Sequence, residues 1–159
     1  MKYFFAFILI LLSFNSIISA ENLITGIPIV VDGDTIKIKG ISIRLHGIDT
    51  PERNQKCKDI NNSFYFCGKV ATKTLIKLID RKQIVCSEKD KDKYGRVVAV
   101  CYKDGMDLNS LMVKEGLGIA YKYFSKDYIK EENFAKRNKL GIWAGQFVEP
   151  YQWRKGKRL

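Results

Sequence analysis

The stretch IPIVVDGDTIKIKGISIRLHGI, residues 27–48, alternates apolar and polar side chains over most of its length. Turn-forming pairs interrupt the alternation at Asp32–Gly33 and at Lys39–Gly40. Alternation with a period of two, broken by short turns, is typical of β-strands that are joined by tight connections. The stretch therefore predicts three short strands.

Two further strands are predicted later in the chain. They are the segments RKQIVCSE, residues 81–88, and RVVAVCYK, residues 96–103, which the charged KDKDKYG connects. Five short strands with helices beside them, in a chain of this length, favour a small closed barrel. We therefore expect an α+β protein, a five-stranded OB-fold β-barrel with three flanking α-helices.

The three helices are predicted from apolar residues at helical spacing and from their end signals. Asp107 is the expected N-terminal cap of the second helix, and Ser125 and Gly141 are the expected start and stop of the third. Residues 49–66 contain turn formers without periodicity and predict a loop, and the basic tail WRKGKRL, residues 153–159, is expected to be mobile. The predicted helices cover residues 67–81, 107–116 and 125–141.

The first 20 residues have the layout of a secretory signal peptide. Lys2 is followed by an apolar run and then by small residues that end at Ala20. The alternative is an uncleaved membrane anchor, but the apolar run is shorter than the roughly 20 residues that span a bilayer. We expect cleavage after Ala20, a single domain over residues 21–159, and export to the periplasm or the extracellular space without stable membrane association.

The chain is strongly basic, with 28 Lys and Arg residues against 17 Asp and Glu residues, a net charge of +11. This charge indicates a polyanionic partner, either nucleic acid or an anionic surface. A solvated lysine-rich surface explains the same composition, and charge alone does not separate the two interpretations.

The four cysteines are Cys57, Cys67, Cys86 and Cys101. An even number of cysteines behind a signal peptide indicates two disulfides. Zinc binding is the alternative, but no two cysteines have the spacing of a zinc site and the chain has one histidine. Three pairings are possible, and the order of the predicted elements favours Cys57 with Cys67 and Cys86 with Cys101.

Three short polar clusters fall at predicted strand ends: VDGDT at 31–35, RLHGIDTPE at 44–52 and DKYGR at 92–96. Asp34, Asp49 and the carbonyl of Thr50 would supply hard oxygen ligands, which suit calcium or magnesium. Each cluster taken singly is also a common turn sequence, and that interpretation is the better one until the clusters are considered together.

Considered together, the clusters resemble the staphylococcal nuclease family. The words VDGDTIKI, IRLHGIDTPE, DKYGR, LNSLMVKEGLGIAYKY and KLGIW occur in that order and at compatible separations between Ile27 and Trp143. The cysteines depart from the founding member of the family, and the hairpin between Glu88 and Asp92 is shorter than in that member.

The resemblance implies a role for each matching residue. Asp34, Asp49 and the Thr50 carbonyl match the calcium ligands, and Asp32 matches an acidic neighbour of that site. The matching catalytic residues are Arg44, Glu52 and Arg96, and the matching substrate-binding residues are Lys93, Tyr94, Tyr121 and Tyr123. Tyr121 and Tyr123 are two residues apart, so an extended segment would put both on one face for stacking on a base. His46 matches an apolar family position, so we expect it to be structural.

The resemblance thus implies a monomeric, calcium-dependent endonuclease that cuts DNA and RNA with little sequence preference and leaves 3′-phosphates. The alternative is a non-catalytic OB-fold protein that binds nucleic acid. Retention of Arg44, Glu52 and Arg96 together with Asp34 and Asp49 favours the enzyme. A protein that adheres to anionic surfaces would explain the charge but not the carboxylates.

Overall fold

The computed structural model describes residues 22–159, so the predicted signal peptide lies outside the described residues. The strands are β1 (Leu23–Gly26), β2 (Ile29–Val30), β3 (Thr35–Ile38), β4 (Ile41–Leu45), β5 (Ile48–Asp49), β6 (Cys57–Lys58), β7 (Phe64–Tyr65), β8 (Ile84–Lys91), β9 (Val97–Lys103), β10 (Met106–Asp107) and β11 (Ile119–Ala120). The helices are α1 (Cys67–Ile79), α2 (Leu108–Lys114), α3 (Ile129–Arg137) and α4 (Pro150–Arg154), with a 3-10 helix at Gly141–Ala144.

The main sheet has the order β1-β8-β9-β4-β3-β2, and β10 extends it beside β9. The β4–β9 pair is parallel, and the other pairs are antiparallel. The sheet curls so far that Gly26 of β1 meets β3, where an added Cβ would lie 2.6 Å from a methyl group of Ile38. This curled mixed sheet with helices beside it confirms the predicted α+β class and OB-type fold. The sheet forms a half-barrel where a closed five-stranded barrel was predicted, and the described residues form four α-helices where three were predicted.

The parallel pairing of β4 with β9 sets which side chains face outward. Arg44 of β4 lies opposite Val98 of β9. The residues before and after each of them are buried in the core, so Arg44 and Val98 point to the opposite face. Register in this pair therefore decides that the Arg44 guanidinium faces away from the apolar core.

The main core lies between the curled sheet and the helices. Its fully buried side chains come from β3, β4, β5, β8, β9, α1 and α2, among them Ile36, Ile43, Leu75, Ala99 and Met112. A second, smaller cluster surrounds the Cys57–Cys67 disulfide and includes Ile119 and Ile142. The region after β5 thus has apolar support of its own.

Both disulfides join the expected partners. Cys57 is bonded to Cys67, and Cys86 is bonded to Cys101. Cys86 and Cys101 are directly opposite each other in the antiparallel β8–β9 pair, which brings their side chains together. The described residues contain no free cysteine.

The helix ends agree with the sequence in part. The Asp107 carboxylate accepts a hydrogen bond from the Ser110 amide at 2.9 Å, so the predicted cap of α2 is confirmed. The predicted cap of α3 is wrong, because Ser125 bonds instead to the amide of Asp127 and α3 begins at Ile129. The residues between Ser125 and Ile129 form a turn.

Two segments are more ordered than the sequence predicted. Residues 49–66 contain the β6–β7 hairpin as well as loops, and the predicted mobile tail begins inside α4. Pro150 at the first helical position and the burial of its ring stabilise the start of α4. Among residues 22–159, no helix is long and apolar enough to cross a membrane.

Candidate active site

A cleft of about 1080 Å³ lies on the face of the curled sheet to which Arg44 and Val98 point. It is formed by the start of β3, the end of β4, the segment after β5, the β8–β9 hairpin, the turn after β11, and α4. Its lining includes the predicted site residues Asp34, Arg44, Thr50, Glu52, Lys93, Tyr94, Arg96 and Tyr121. Residues from distant parts of the sequence therefore meet at one surface.

Asp34 is held at the floor of this cleft. One of its oxygens, Oδ1, accepts hydrogen bonds from Arg44 at 2.8 Å and from the Thr35 hydroxyl at 3.1 Å, and Oδ2 accepts from the Thr50 amide at 3.0 Å. The residue is 4% exposed. These bonds fix the carboxylate, and its contact with the Thr50 amide joins β3 to the segment after β5.

Asp49 lies beneath the lining and has no exposed surface. The Arg44 guanidinium lies between it and Asp34, with Nη2 at 3.0 Å from Asp49 and Nη1 at 2.8 Å from Asp34. Burial raises the pKa of Asp49, and the guanidinium groups of Arg154 and Arg44 oppose that rise. For Arg44, burial acts to lower the pKa, but the two carboxylates raise it more, so the guanidinium stays charged.

Glu52 is more open than the two aspartates, with one third of its side chain exposed. Its backbone is packed tightly against the first turn of α1, since a Cβ added at Gly68 would lie 1.8 Å from the Glu52 carbonyl oxygen. The Glu52 amide donates to the buried side chain of Gln55 at 3.2 Å. The backbone is thus fixed, and the carboxylate reaches the cleft.

Arg96 follows the β8–β9 turn and is paired with Asp92. Its Nε lies 2.7 Å from Asp92 Oδ2, and the other Asp92 oxygen accepts from the amides of Arg96 and Tyr94. The Lys93 ammonium lies over the ring of Tyr94, a residue that is 73% exposed. Arg96, Lys93 and Tyr94 therefore form one wall of the cleft.

The segment after β11 is a turn, so the predicted extended arrangement of Tyr121 and Tyr123 is wrong. The amides of Phe124 and Ser125 both bond to the Tyr121 carbonyl and turn the backbone. Tyr121 lines the cleft together with Phe124, whereas Tyr123 does not line it and is 85% exposed. Tyr123 packs edge-on against Phe124 with ring centroids 4.9 Å apart.

His46 also borders the cleft, and its Nε2 lies 3.0 Å from a carboxylate oxygen of Asp127. Its carbonyl accepts from the buried Asn109 side chain at 3.0 Å. These bonds join β4 to α2 and to the turn before α3, which is consistent with a structural role.

Arg154 of α4 is the site residue that the sequence did not reveal. It donates from Nη1 to Asp49 Oδ1 and from Nη2 to Asp49 Oδ2, at 2.9 and 3.0 Å. Nη1 also donates to Glu52 at 2.9 Å. The only hint in the sequence was EPYQWR, in which proline can start a helix and Arg154 falls in its last turn.

The oxygen donors of the cleft suit a hard divalent cation by chemistry. Asp32, Asp34 and Glu52 line the cleft and Asp49 lies beneath it, and burial together with Asp34 and Glu52 raises the pKa of Asp32 to about 6. Arg44 and Arg154 are nonetheless bonded to Asp34, Asp49 and Glu52, and within residues 22–159 no three His, Cys, Asp or Glu side chains are grouped as metal ligands.

The fold and the cleft define an OB-type barrel protein that presents carboxylates and guanidinium groups together in an open groove. The chain belongs to the staphylococcal nuclease homologue family, whose model matches residues 42–145. Membership agrees with the resemblance found in the sequence, and the matched segment includes Arg44, Asp49, Glu52 and Arg96.

Curated relatives support the same assignment. An uncharacterized endonuclease of Haemophilus influenzae is 33% identical over 138 residues, which cover 82% of this chain and 72% of that protein. The micrococcal nuclease of Shigella flexneri is 31% identical over 150 residues, which cover 81% of this chain and 79% of that protein. The succinoglycan biosynthesis protein ExoI of Rhizobium meliloti is 33% identical over 130 residues, which cover 80% of this chain and 68% of that protein.

Proposed function

We propose that the protein is an exported, monomeric, calcium-dependent endonuclease that hydrolyses DNA and RNA with little sequence preference and leaves 3′-phosphates. The observation that carries this proposal is the shared cleft, where Arg44, Glu52 and Arg96 line the same surface as Asp34 and Thr50. Family membership and relatives named as nucleases support hydrolysis of a phosphodiester bond.

The arginines are suited to the phosphate. A guanidinium group presents a planar fork to two phosphate oxygens and keeps its charge at every physiological pH. Arg44 lies in β4 and Arg96 lies directly before β9. Both would bind the oxygens on which negative charge develops, which lowers the barrier only if binding strengthens in the transition state. Arg96 would have to exchange its contact with Asp92 for one with the phosphate.

Glu52 is suited to the attacking water. Its carboxylate is partly exposed in the cleft, while its backbone is fixed by Gly68 and Gln55. A carboxylate in this position can orient a water molecule and accept its proton. Asp34, Asp49 and the Thr50 carbonyl would hold calcium, which neutralises phosphate charge and polarises the phosphorus centre.

Substrate binding follows from the aromatic and basic walls. Lys93 offers a cation, and Tyr94 and Tyr121 offer ring faces on which a base can stack without regard to its identity. Tyr123, which lies outside the lining, would contact a nucleic-acid strand that extends beyond the cleft. The basic composition predicts binding that weakens steeply with salt, because counterions are released when phosphates are neutralised.

The test is incubation of purified chain from residue 21 onward with plasmid DNA and with RNA, in calcium, in magnesium and in excess chelator. We expect cleavage in calcium, much less in magnesium, and none in chelator, with end-group analysis showing 3′-phosphates. Asp34→Ala and Asp49→Ala should each abolish cleavage while salt-sensitive DNA binding persists. DNA binding without any cleavage would instead favour the non-catalytic barrel.

A further inference from the structure

Arg154 is hydrogen-bonded to carboxylates at the place where the proposed function puts a metal ion. Asp49 has both oxygens bonded to this guanidinium, and Oδ1 accepts a further bond from Arg44. Glu52 accepts from the same Nη1. Of the side-chain hydrogen bonds that the described residues make to the Asp49 carboxylate, all come from these two arginines.

The fold delivers Arg154 to this place through specific anchors ahead of α4. Lys58 of β6 and Gln146 exchange backbone hydrogen bonds of 2.8 and 3.1 Å. Two residues later, the Val148 carbonyl accepts from Gln55 at 2.6 Å. Gln55 also receives the Glu52 amide, so a single buried side chain connects the backbone of Glu52 to the approach of α4.

The contact between Arg154 and Asp49 can be lost without breaking those anchors. The guanidinium is about one third exposed, and α4 has five residues, of which Pro150 alone is buried. A helix this short has little stability apart from its tertiary contacts. Loss of the Asp49 contact would therefore loosen α4 while Gln146 and Val148 remain attached to the body of the protein.

The negative charge of the carboxylates around Arg154 favours a cation at the position of its guanidinium group. Arg44 is the other guanidinium in contact with the two buried aspartates, and Asp32 and Glu52 add further carboxylates to the group. A divalent ion bound to Asp49 would lie beside the Arg154 guanidinium and be repelled by it. The ion would also need to bind carboxylate oxygens that already accept hydrogen bonds from that guanidinium. The ion and Arg154 thus compete for the same carboxylates.

We propose that Arg154 is a built-in counter-ion of the site, which occupies Asp49 and Glu52 in the metal-free chain and is displaced when a divalent cation binds. The inference rests on the proposed function, from which the metal ligands are taken. Displacement releases α4 from the cleft, frees the Glu52 carboxylate for a water molecule, and opens the side of the cleft that Arg154 and Tyr151 line. Occupancy by Arg154 therefore lowers the apparent affinity for the ion.

The experiment measures binding of calcium alone by titration calorimetry, without nucleic acid. We expect Arg154→Ala to bind calcium at least tenfold more tightly than the wild type, and Arg154→Lys, which keeps the charge but loses the fork, to be intermediate. The matched control is Lys157→Ala, which removes one positive charge from the same tail and should stay within about twofold of the wild type.

A second measurement needs no substitution. Hydrogen exchange of the wild-type chain should become faster in residues 151–154 when calcium is added, while the amides of β9 stay protected. Two results would overturn the proposed displacement of Arg154 and leave the nuclease proposal intact. One is calcium binding by the wild type without faster hydrogen exchange in α4, and the other is calcium binding by Arg154→Ala that is no tighter than that of the wild type. If no variant bound calcium, both the assignment of the metal ligands and the proposed displacement of Arg154 would be contradicted.

Discussion

Arg96 and Asp92 form a salt bridge inside the turn that connects two strands of the barrel, with Arg96 Nε 2.7 Å from the Asp92 carboxylate. Burial acts to raise the pKa of Asp92, but the hydrogen bonds from Arg96 and from the turn amides lower it more, so the pKa lies below its usual value. The turn thus holds the Arg96 side chain at the cleft before any substrate is present, and a phosphate must compete with a carboxylate for it.

The first prediction concerns this arginine. Arg96→Ala should lower kcat by about three orders of magnitude with a small change in KM, because Arg96 acts on charge that develops in the transition state. Steady-state kinetics on a short oligonucleotide would measure both constants. Arg81→Ala, at an exposed position after α1, is the charge-matched control. A rise in KM alone would make Arg96 a substrate-binding residue.

The second prediction concerns the tight packing of Glu52. Alanine is normally favoured over glycine in a helix by roughly 1 kcal/mol. At Gly68 the added methyl group would collide with the Glu52 carbonyl, so Gly68→Ala should instead destabilise the protein by about 1–3 kcal/mol and lower kcat at least tenfold. Denaturant unfolding and kinetics would be compared with those of Lys73→Ala, an exposed position in α1. A stabilised and fully active Gly68→Ala variant would show that Glu52 tolerates displacement.

The third prediction separates the two disulfides. Each closes a short loop, of 10 or 15 residues, and its loss should cost about 3 kcal/mol of unfolding free energy. Cys57→Ser/Cys67→Ser should also reduce kcat, since the bridge supports the segment between Glu52 and α1. Cys86→Ser/Cys101→Ser should keep the kcat of the wild type below its unfolding temperature. Equal kcat values for the two double variants would contradict this division.

The fourth prediction concerns pH. Burial raises the pKa of Tyr128 above its usual value of 10.0, and the hydrogen bond from its hydroxyl to Asp107 at 3.0 Å adds to that rise. A group whose pKa is raised on folding stabilises the protein below the unfolded pKa, and that stability is lost as the pH rises. Tyr128→Phe should cost roughly 1.5–3 kcal/mol at neutral pH, as expected for a bond to a charged group.

The advantage of the wild type over Tyr128→Phe should then narrow above about pH 10. Urea unfolding of both proteins between neutral and alkaline pH would measure it, and the comparison cancels the titration of the lysines. A constant difference in unfolding free energy across that range would mean that Tyr128 ionises with no penalty in the folded state.

Features with local or periodic signals were predictable from the sequence. The alternation in residues 27–48 predicted the strands, Asp107 at the start of an apolar helical pattern predicted a cap, and the strands around residues 89–95 placed Cys86 opposite Cys101. The family words brought Arg44, Glu52 and Arg96 together as one hypothesis, and the structure places all three at one cleft. Their catalytic roles remain predictions.

Features that depend on tertiary contacts were not predictable. Arg154 is 105 residues from Asp49 in the chain, and no periodic pattern connects them. The basic tail looked mobile because the carboxylates that order its start lie elsewhere in the sequence. Tyr121 and Tyr123 looked like strand residues, but β11 ends at Ala120 and backbone hydrogen bonds turn the chain there.

The parallel pairing of β4 with β9 limits where this chain can change length. Val98 is fixed beside Arg44, and Arg96 is two residues before it. A single residue inserted or deleted between Arg96 and Val98 would turn the Arg96 side chain to the other face of the strand. On the other side of the hairpin, β8 already contains a bulge between Glu88 and Asp90, which can absorb an extra residue. Insertions and deletions that preserve the cleft should therefore be confined to the part of the hairpin that precedes Asp92.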